Sequence, residues 1–409
     1  MQLLYSICVE LLWWLALPFL LIKERFRKVF FARLQQKKTF KDAIRNENLA
    51  EPVVWFHCAS LGEFEQARPV IESYRKQYPT HFLALTFFSD SGFDQKKNYA
   101  PVNWIGYLPF DRYFQTRQFI RNLNPSVAFF VKYEVWPNVF FELKKRSVPL
   151  HLFSARFRTE QRFFGTFSFF WKTVLQSVKQ FYVQDEISEQ ALRALGFENV
   201  VVTGDTRFDR VLEISKADLS SIQTRIDHWK GSSKILVLGS SYITEEQLSN
   251  SWLKANPDWK VIVVPHEVTP DRITEIQNAF CEFEIQLWSS FADENKSRIL
   301  VIDTVGLLSR LYAFADIVVI GGGFNKGIHN TLEAAVYDTP LCFGPKHIHF
   351  QEAVELLKCA AAFTFSNEDE FNTCMHCMQQ KMPSSGGANY VMKNAGATAK
   401  ILNIALSKN

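Results

Sequence analysis

A glycine-rich segment in the carboxy-terminal half carries side chains suited to a nucleotide. Residues 317–320 form a β-branched run that predicts a buried parallel strand. Three glycines follow, and their bare backbone amides can approach a ligand closely. His329 and Asn330 then open a predicted helix with Glu333 on its first turn. The N–H groups of a helix start suit a phosphate, and a carboxylate one turn later suits the hydroxyls of a ribose. An ordinary strand–loop–helix crossover is the alternative.

A second carboxylate, Glu63, has a position suited to proton transfer. The first predicted strand runs past His57, and Ser60 and Gly62 form a tight turn into a helix that carries Glu63 at its start. From there the carboxylate can act as a general base toward an attacking hydroxyl. Alternatively, it only compensates the partial positive charge of the helix start.

Further polar residues follow other predicted strands. In the amino-terminal half, Glu134, Arg156 and Arg207 supply charged side chains on one side of the predicted sheet, although each could belong to a surface turn with an ion pair. In the other half, a nucleotide base could rest against Pro265 and Gly306. Since no clustered pair of carboxylates resembles a Mg²⁺ site, the sequence predicts metal-independent chemistry.

Alternating strand-like and helical runs supply the scaffold for these residues. They predict an α/β protein with two Rossmann-like domains facing a cleft, and ligands beyond the carboxyl ends of the strands. The predicted strands are 53–59, 82–88, 104–108, 127–131, 151–154, 181–183, 200–203, 235–238, 261–264, 299–302, 317–320 and 341–343. The predicted segments are a membrane anchor with a basic stretch (1–45), a first domain (50–215), a linker (216–232) and a second domain (233–409).

Composition excludes several classes of protein. The chain has 409 residues, 47% hydrophobic and 22% charged, which describes a globular protein of about two domains. A net charge of +4 does not argue for nucleic acid. Seven scattered cysteines favour a reducing compartment. The single C-x-x-C motif, Cys374 to Cys377, predicts a peripheral helix rather than a metal or redox site.

The amino-terminal segment predicts association with a membrane. Residues 2–22 are apolar apart from a few groups, chiefly Glu10, and a basic cluster runs from Lys23 to Lys41. The segment has the length of a bilayer span, but Glu10 and Pro18 make it a poor one. A helix lying in or dipping into the inner leaflet is therefore favoured, a full span comes next, and a buried core helix is the least favoured. The basic cluster predicts that the following domain is cytoplasmic.

Taken in order, these segments resemble the 3-deoxy-D-manno-oct-2-ulosonic acid (Kdo) transferase family over nearly the whole chain. The apolar start followed by basic residues also resembles the membrane anchor of that family. The segments that match family motifs are Ser60–Glu63, Glu134–Asn138, Ala155–Arg156, Gly204–Asp209, Lys326–Ala334 and Gly344–Phe350.

The resemblance implies a GT-B fold and an inverting glycosyltransferase that uses CMP-Kdo without a cofactor. Glu63 matches the catalytic base, which would deprotonate the 6′-hydroxyl of a lipid A precursor, lipid IVA, at the cytoplasmic face of the inner membrane. The implied donor-binding residues are Pro265, His266, Gly306, Gly322, Gly323, Asn325, Gly327, His329, Asn330 and Glu333. The implied acceptor- or Kdo-binding residues are Ser60, Gly62, Glu134, Arg156 and Arg207.

Some positions depart from the family pattern. His266 and Glu267 follow Pro265 where Arg-His is common, and Lys132 stands where an acidic residue is common. Arg207 replaces a lysine. Ile328 replaces a glycine and Ala334 a proline. Two alternative functions are another membrane-associated GT-B transferase with a UDP-sugar donor, and a non-catalytic sugar-nucleotide-binding protein.

Overall fold

The chain folds into two compact units, each with one parallel sheet. Unit 1 comprises Met1–Arg210 together with Ala395–Asn409, and unit 2 comprises Val211–Asn394. The computed structural model describes residues 1–46, 51–291, 297–381 and 386–407.

Seven strands form the sheet of unit 1. They are β1 (Val53–Cys58), β2 (Phe82–Phe87), β3 (Trp104–Tyr107), β4 (Val127–Val131), β5 (Leu150–Ala155), β6 (Gln180–Val183) and β7 (Val200–Val202). Their order is β3-β2-β1-β4-β5-β6-β7, and neighbouring strands are parallel. The strand order reverses between β1 and β4, so the carboxyl ends of these two strands form the topological switch point of unit 1.

Seven strands also form the sheet of unit 2. They are β8 (Lys234–Ser241), β9 (Trp259–Pro265), β10 (Ile285–Leu287), β11 (Ile299–Val301), β12 (Ile317–Ile320), β13 (Leu341–Phe343) and β14 (Ala362–Thr364). Their order is β10-β11-β9-β8-β12-β13-β14, again with parallel neighbours. Here the order reverses between β8 and β12, which places the switch point of unit 2 at their carboxyl ends.

Helices connect the strands and cover the sheets. In chain order they are α1 (Gln2–Ile22), α2 (Glu24–Asn46), α3 (Leu61–Gln77), α4 (Asp90–Lys96), α5 (Tyr113–Leu123), α6 (Pro137–Lys145), α7 (Ser168–Leu175), α8 (Glu186–Ala194), α9 (Thr206–Ser215), α10 (Ser220–Lys230), α11 (Ile243–Ala255), α12 (Pro270–Ala279), α13 (Leu308–Leu311), α14 (Leu332–Ala335), α15 (Gln351–Lys358), α16 (Glu368–Lys381), α17 (Gly387–Asn394) and α18 (Ala397–Leu406).

The sheet of unit 1 is rigidly packed because its strands are apolar on both faces. Every residue of β1, β2 and β5 is buried, as expected for parallel strands covered by helices on two sides. Aromatic rings fill much of this core. Trp55 meets Phe130 edge to face at 5.0 Å, and Phe56 stacks on Phe129 at 5.1 Å. Such dense packing fixes the strand ends that carry the polar residues.

Helix α1 is held to the rest of unit 1 by polar contacts. Ser6 donates a hydrogen bond to the Asn138 side chain at 2.8 Å, and the Arg112 guanidinium donates to Glu10 at 2.6 Å. Among the described helices, α1 is the one long and apolar enough to cross a membrane, and only 6% of its apolar window is buried. The predicted alternative of a buried core helix therefore does not fit.

The predicted α/β class with two parallel sheets is confirmed, and every predicted strand is present. The structure adds β10 and β14, two edge strands of three residues each. The segment predicted as a linker contains α10. The final helix, α18, belongs to unit 1, where Ile401 and Leu402 join the core around Phe64. The predicted bounds include it in the second domain, but the sequence leaves open which domain it packs against.

Candidate functional site

The switch point of unit 1 brings two carboxylates into one neighbourhood. Glu63 lies in the first turn of α3, directly after β1, and Glu134 lies in the loop between β4 and α6. Because β1 and β4 are adjacent strands, both loops leave the same edge of the sheet. The charge of Glu63 contributes to raising the pKa of Glu134, so the two carboxyl groups interact electrostatically.

Glu63 has the environment of a base that is held ready to accept a proton. It is 8% exposed, and the backbone N–H of Ala59 donates to its Oε2 at 2.5 Å. Burial raises the pKa of Glu63, while hydrogen bonds from the backbone N–H groups of Ala59 and Ser60 and the charge of Lys132 oppose that rise. The amide bonds fix the carboxylate in place, and the raised pKa increases its affinity for a proton.

The Glu134 side chain is 18% exposed and has a more strongly raised pKa than Glu63. Burial and, second, the charge of Glu63 raise the pKa of Glu134 to about 7, against the opposing effects of Trp136 and Arg162. The indole N–H of Trp136 donates to Oε2 of Glu134 at 3.1 Å. At neutral pH, Glu134 is therefore divided between its protonated and ionised forms, whereas the hydrogen bonds from Ala59 and Ser60 favour the ionised form of Glu63.

The raised pKa of Glu134 predicts a pH dependence of the free energy of unfolding, and Glu134→Gln should remove it. The folded-state pKa is raised, so the folded protein binds the proton more tightly and loses stability as pH rises from about 4.5 to about 7. Relative to Glu134→Gln, the free energy of unfolding of the wild type should fall by roughly 3 kcal/mol across that window. Urea denaturation of both proteins at a series of pH values measures this fall. If the two free energies of unfolding differ by the same amount at every pH in the window, the prediction is contradicted.

A cavity of about 350 Å³ lies beside Glu134. Its wall includes Trp136, Arg162 and Trp171, and α1 contributes Tyr5. Aromatic faces with a carboxylate and a guanidinium can bind both the apolar and the hydroxyl-bearing sides of a sugar. The cavity therefore gives this edge of unit 1 space for a polar ligand, next to the helix that is a candidate for membrane association.

The two predicted cationic residues lie at the same edge of the sheet but farther along it. Arg156 follows β5, and its Nε lies 3.9 Å from Asp185. Arg207 follows β7 and pairs with Asp205 at 2.8 Å. Gln66 of α3 donates to the same Asp205 at 3.2 Å, which ties this loop to the helix that carries the proposed base.

Ser60 and Gly62 form the entry to α3, as the sequence predicts. Ser60 is the N-cap residue of the helix, and its carbonyl oxygen accepts the N–H of Phe64 at 3.0 Å. Gly62 is exposed, and an added Cβ would meet no described atom within 4 Å. Within the described residues, packing therefore does not require a glycine there, and the predicted ligand contact stays a prediction.

In unit 2, the glycine loop after β12 packs against other backbone segments. Gly322 has φ +90°, and a Cβ there would lie 2.5 Å from the Gly327 carbonyl oxygen. At Gly323, a Cβ would lie 2.5 Å from the Cα of Gly344. The sequence attributes these glycines to a close-lying ligand, but contacts within the protein already require both of them.

The Gly322 amide is also engaged inside the protein. Its N–H donates to Oε1 of Glu245 at 3.0 Å, and the same carboxylate accepts the N–H of Tyr242 at 3.2 Å. Glu245 is fully buried in the first turn of α11. The Gly322 amide is thus not a donor open to a phosphate in this structure, contrary to the sequence-based interpretation.

Gly323→Ala tests this account of the loop. The added methyl group meets the Gly344 backbone, which cannot move like a flexible side chain, so we expect a loss of at least about 2 kcal/mol in stability. Gly165→Ala is the matched control, since no described atom lies within 4 Å of its Cβ position. Thermal unfolding of both variants measures the effect. Equal melting temperatures for Gly323→Ala and the wild type would show that the loop adapts without cost.

Three aromatic side chains stack beside this loop. The rings of His266 and His329 are 4.3 Å apart, and the Tyr242 ring lies 5.3 Å from that of His266. Burial and, second, the proximity of His266 lower the pKa of His329 to about 4, so its ring is neutral near pH 7. A flat aromatic surface at the ends of β8, β9 and β12 suits the face of a nucleobase.

The predicted ribose-binding carboxylate is held by its neighbour. The side-chain Nδ2 of Asn330 donates to Oε1 of Glu333 at 3.0 Å, and the side-chain Oδ1 of Asn330 accepts the backbone N–H of Leu332 at 3.1 Å. The helix begins at Leu332, two residues later than the sequence predicts, and has four residues. Its dipole is correspondingly small, so the predicted attraction of a helix start for phosphate contributes little.

The other predicted donor residues lie around the same edge of unit 2. Pro265 ends β9, and Gly306, with φ +89°, follows β11. Asn325 is exposed, and its carbonyl oxygen accepts the Lys346 amine at 2.7 Å. Gly327, with φ +141°, packs against the ring of Phe350. The structure thus brings these residues to the loops at one end of the sheet, while their contacts with a ligand stay a prediction.

Sequence reasoning did not single out four residues that lie at the carboxyl ends of the strands in the two sheets. They are His57, Arg162, Tyr242 and Glu245. Glu245 had a readable signal, since it follows the first strand of its sheet on the first turn of a helix, as Glu63 does. The others are recognisable only through contacts between distant parts of the chain.

Two parallel sheets of this topology define a GT-B-like α/β protein. UDP-GlcNAc 2-epimerase from Neisseria meningitidis has a similar fold, with a TM-score of 0.60 and 14% identity over 87% of this chain and all of that one. This likeness concerns the fold alone. The sequence model of the family described as 3-deoxy-D-manno-octulosonic-acid transferase (kdotransferase) matches residues 24–210.

Curated relatives agree with that match. A 3-deoxy-D-manno-octulosonic acid transferase from Haemophilus influenzae is 24% identical over 371 residues, which cover 86% of this chain and 86% of that protein. A bifunctional glycosyltransferase/methyltransferase from Fusobacterium nucleatum is 26% identical over 91% of this chain. This chain spans 58% of the length of that protein. By these matches the chain is similar to Kdo transferases, and this similarity supports a glycosyltransferase.

Proposed function

We propose that this protein is an inverting glycosyltransferase that moves Kdo from CMP-Kdo to the 6′-hydroxyl of a lipid A precursor, lipid IVA. The observation that carries the proposal is the buried Glu63 carboxylate at the switch point of unit 1, within the segment that matches the Kdo transferase family. The proposal includes neither a metal nor a cofactor.

In this reaction, Glu63 is the general base. The 6′-hydroxyl oxygen forms a bond to the anomeric carbon of Kdo, and its proton passes to the Glu63 carboxylate. The bond between that carbon and the phosphate oxygen breaks, and its electron pair leaves with CMP. A single displacement inverts the configuration, through a transition state that resembles an oxocarbenium ion. The hydrogen bond from the Ala59 N–H supports this role because it orients the carboxylate before the acceptor arrives.

Unit 2 would bind the donor. The stacked rings of His266, His329 and Tyr242 suit the cytosine base, and Glu333 suits the ribose hydroxyls. The exposed polar segment around Asn325 is proposed to bind the phosphate, with no contribution from the Gly322 amide. Donors that are fixed before the reaction stabilise the charge that develops on the leaving phosphate. Arg156 and Arg207 remain candidates for the Kdo carboxylate.

The surface of unit 1 supports a lipid-linked acceptor. Helix α1 exposes apolar side chains along its length, including Leu4, Leu11 and Phe19. Trp13 of the same helix packs on Phe110, whose ring lines a largely apolar cavity of about 380 Å³. We propose that α1 rests on the cytoplasmic face of the inner membrane, where the acyl chains of the acceptor lie.

Donor choice tests the proposal. The purified full-length protein, in detergent with a lipid A precursor, should release CMP from CMP-Kdo and no UDP from UDP-sugars. Release of UDP with transfer of its sugar would replace the proposal by the UDP-sugar alternative. Binding of CMP without any turnover, in protein whose fold is intact, would favour the non-catalytic alternative.

A further inference from the structure

His57 is a buried polar side chain that the proposed reaction leaves without a role. It is fully buried at the penultimate position of β1. Its Nδ1 lies 3.1 Å from the carbonyl oxygen of Thr86 and 2.9 Å from the hydroxyl of the same residue. Because a carbonyl oxygen can only accept, Nδ1 carries the ring proton. Burial lowers the pKa of His57 to about 3, so the ring is neutral and Nε2 is a lone-pair acceptor.

This acceptor needs a donor. Nε2 is buried, and no described residue donates a hydrogen bond to it. Oε2 of Glu134 lies 4.0 Å away, beyond a hydrogen bond of about 3 Å, on a side chain that is 18% exposed and borders a cavity. A small rotation of the Glu134 side chain brings its carboxyl group into direct hydrogen-bond contact with Nε2. An ionised carboxylate cannot donate, so only the protonated form of Glu134 satisfies Nε2.

We propose that His57 is a positioning residue whose Nε2 accepts the proton of the Glu134 carboxyl group, so that the negative charge of the carboxylate pair resides on Glu63. Two carboxyl groups in one site rarely ionise together, and the group whose neutral form is better hydrogen-bonded keeps the proton. Here the imidazole of His57 stabilises the neutral form of Glu134, and the N–H of Ala59 stabilises the ionised form of Glu63.

The electrostatics of the surroundings agree with this assignment. The pKa of Glu134 is raised to about 7 by burial first and by Glu63 second. The titratable and charged groups that face the Glu134–His57 pair are Arg33, Cys58, Glu63, Lys132 and Arg162. The catalytic consequence rests on the proposed function, whereas the location of the proton does not.

Infrared spectroscopy locates the proton without any substrate. At pH 6, the wild type and Glu63→Gln should show a C=O band of a protonated carboxyl group that Glu134→Gln lacks. A band from Asp111, whose pKa burial raises to about 6, should be common to all three proteins. In His57→Gln, whose amide oxygen can take the place of Nε2, the band that depends on Glu134 should persist at a shifted frequency. Two results contradict the proposal: a wild-type spectrum without a band that depends on Glu134, or a band that substitution of His57 leaves unmoved.

The pH profile of kcat/KM then tests the effect on Glu63. In His57→Leu, the acid limb should move to higher pH by roughly one unit, the size of one lost hydrogen bond, because charge shifts from Glu63 to Glu134. The move should be absent when His57→Leu is combined with Glu134→Gln. A purely structural His57 would lower the rate equally at every pH. If His57→Leu does not fold, His57→Gln serves as the test variant. The proposal then predicts an acid limb close to that of the wild type together with an altered infrared band.

The two measurements separate the failure of this inference from failure of the proposed function. Absence of Kdo transfer with a Glu134 band that responds to His57 would refute only the function. Kdo transfer in a protein without that band would refute only the role of His57.

Discussion

Glu63→Gln is expected to lower kcat for Kdo transfer by about 10²–10⁴-fold, the usual contribution of a general base. Glutamine keeps the shape of the side chain, and its carbonyl oxygen can still accept the Ala59 N–H, but it cannot take the proton of the acceptor hydroxyl. Binding of CMP should not change, because the proposed donor residues belong to unit 2. Initial rates and CMP titration on the same preparation measure both quantities.

Glu65→Gln is the matched control for this prediction. Glu65 lies on the same helix two residues later, is partly exposed, and makes surface ion pairs such as that with Lys96 at 3.6 Å. Exposed pairs of this kind contribute little to stability, so the control should transfer Kdo at a rate close to the wild type. Equal losses in the two variants would point to damage to α3 and not to loss of a base.

Glu333→Ala is expected to weaken CMP binding by roughly 10–100-fold, the effect of losing hydrogen bonds to a charged group. The Asn330 amide now holds this carboxylate in place, which prepares it to accept the two ribose hydroxyls without reorganisation. Glu333→Gln should recover part of the loss because it keeps one acceptor oxygen. Isothermal titration calorimetry with CMP measures the dissociation constant directly.

A surface carboxylate in the same unit provides the comparison. Glu355 pairs with Lys358 on the outside of α15 at 2.8 Å, so Glu355→Ala should bind CMP like the wild type. The ribose role of Glu333 is wrong if Glu333→Ala binds CMP normally and loses only its rate of transfer.

Most of the scaffold is readable in the sequence because parallel strands buried on both faces are continuous apolar runs. β1, β4 and β12 are examples, and each ends at the predicted place within one residue. The two missed strands, β10 and β14, have three residues each and lie at sheet edges. Only part of such a strand is buried, so its composition differs little from that of a loop.

The site is readable only where the chemistry is local. The position of Glu63 follows from a strand, a tight turn and a helix start within ten residues. The structure places the residue in the first turn of that helix, as predicted. The amide of Gly322 donates to Glu245 inside the protein, while the predicted ligand contact of Gly323 stays a prediction. A missing Cβ serves the approach of a ligand or of another backbone segment equally well, and the segment around Gly344 is distant in sequence.

The assignment of His57 lay beyond sequence reasoning for a similar reason. Because the other residues of β1 are apolar, the sequence predicts only that the His57 side chain is buried. Its tautomer depends on Thr86 of the neighbouring strand, and its second nitrogen on a loop after β4. Such relationships are set by the order of strands in the sheet, which spacing along the chain does not encode.

Mass spectrometry of the lipid product is the most direct test of the central claim. The full-length protein is incubated with CMP-Kdo and a lipid A precursor, alongside the Glu63→Gln and Glu65→Gln variants. We predict that the precursor gains the mass of at least one Kdo residue with the wild type and with Glu65→Gln, and remains unmodified with Glu63→Gln. A precursor that stays unmodified with the folded wild type, or that Glu63→Gln modifies at the wild-type rate, would contradict the account.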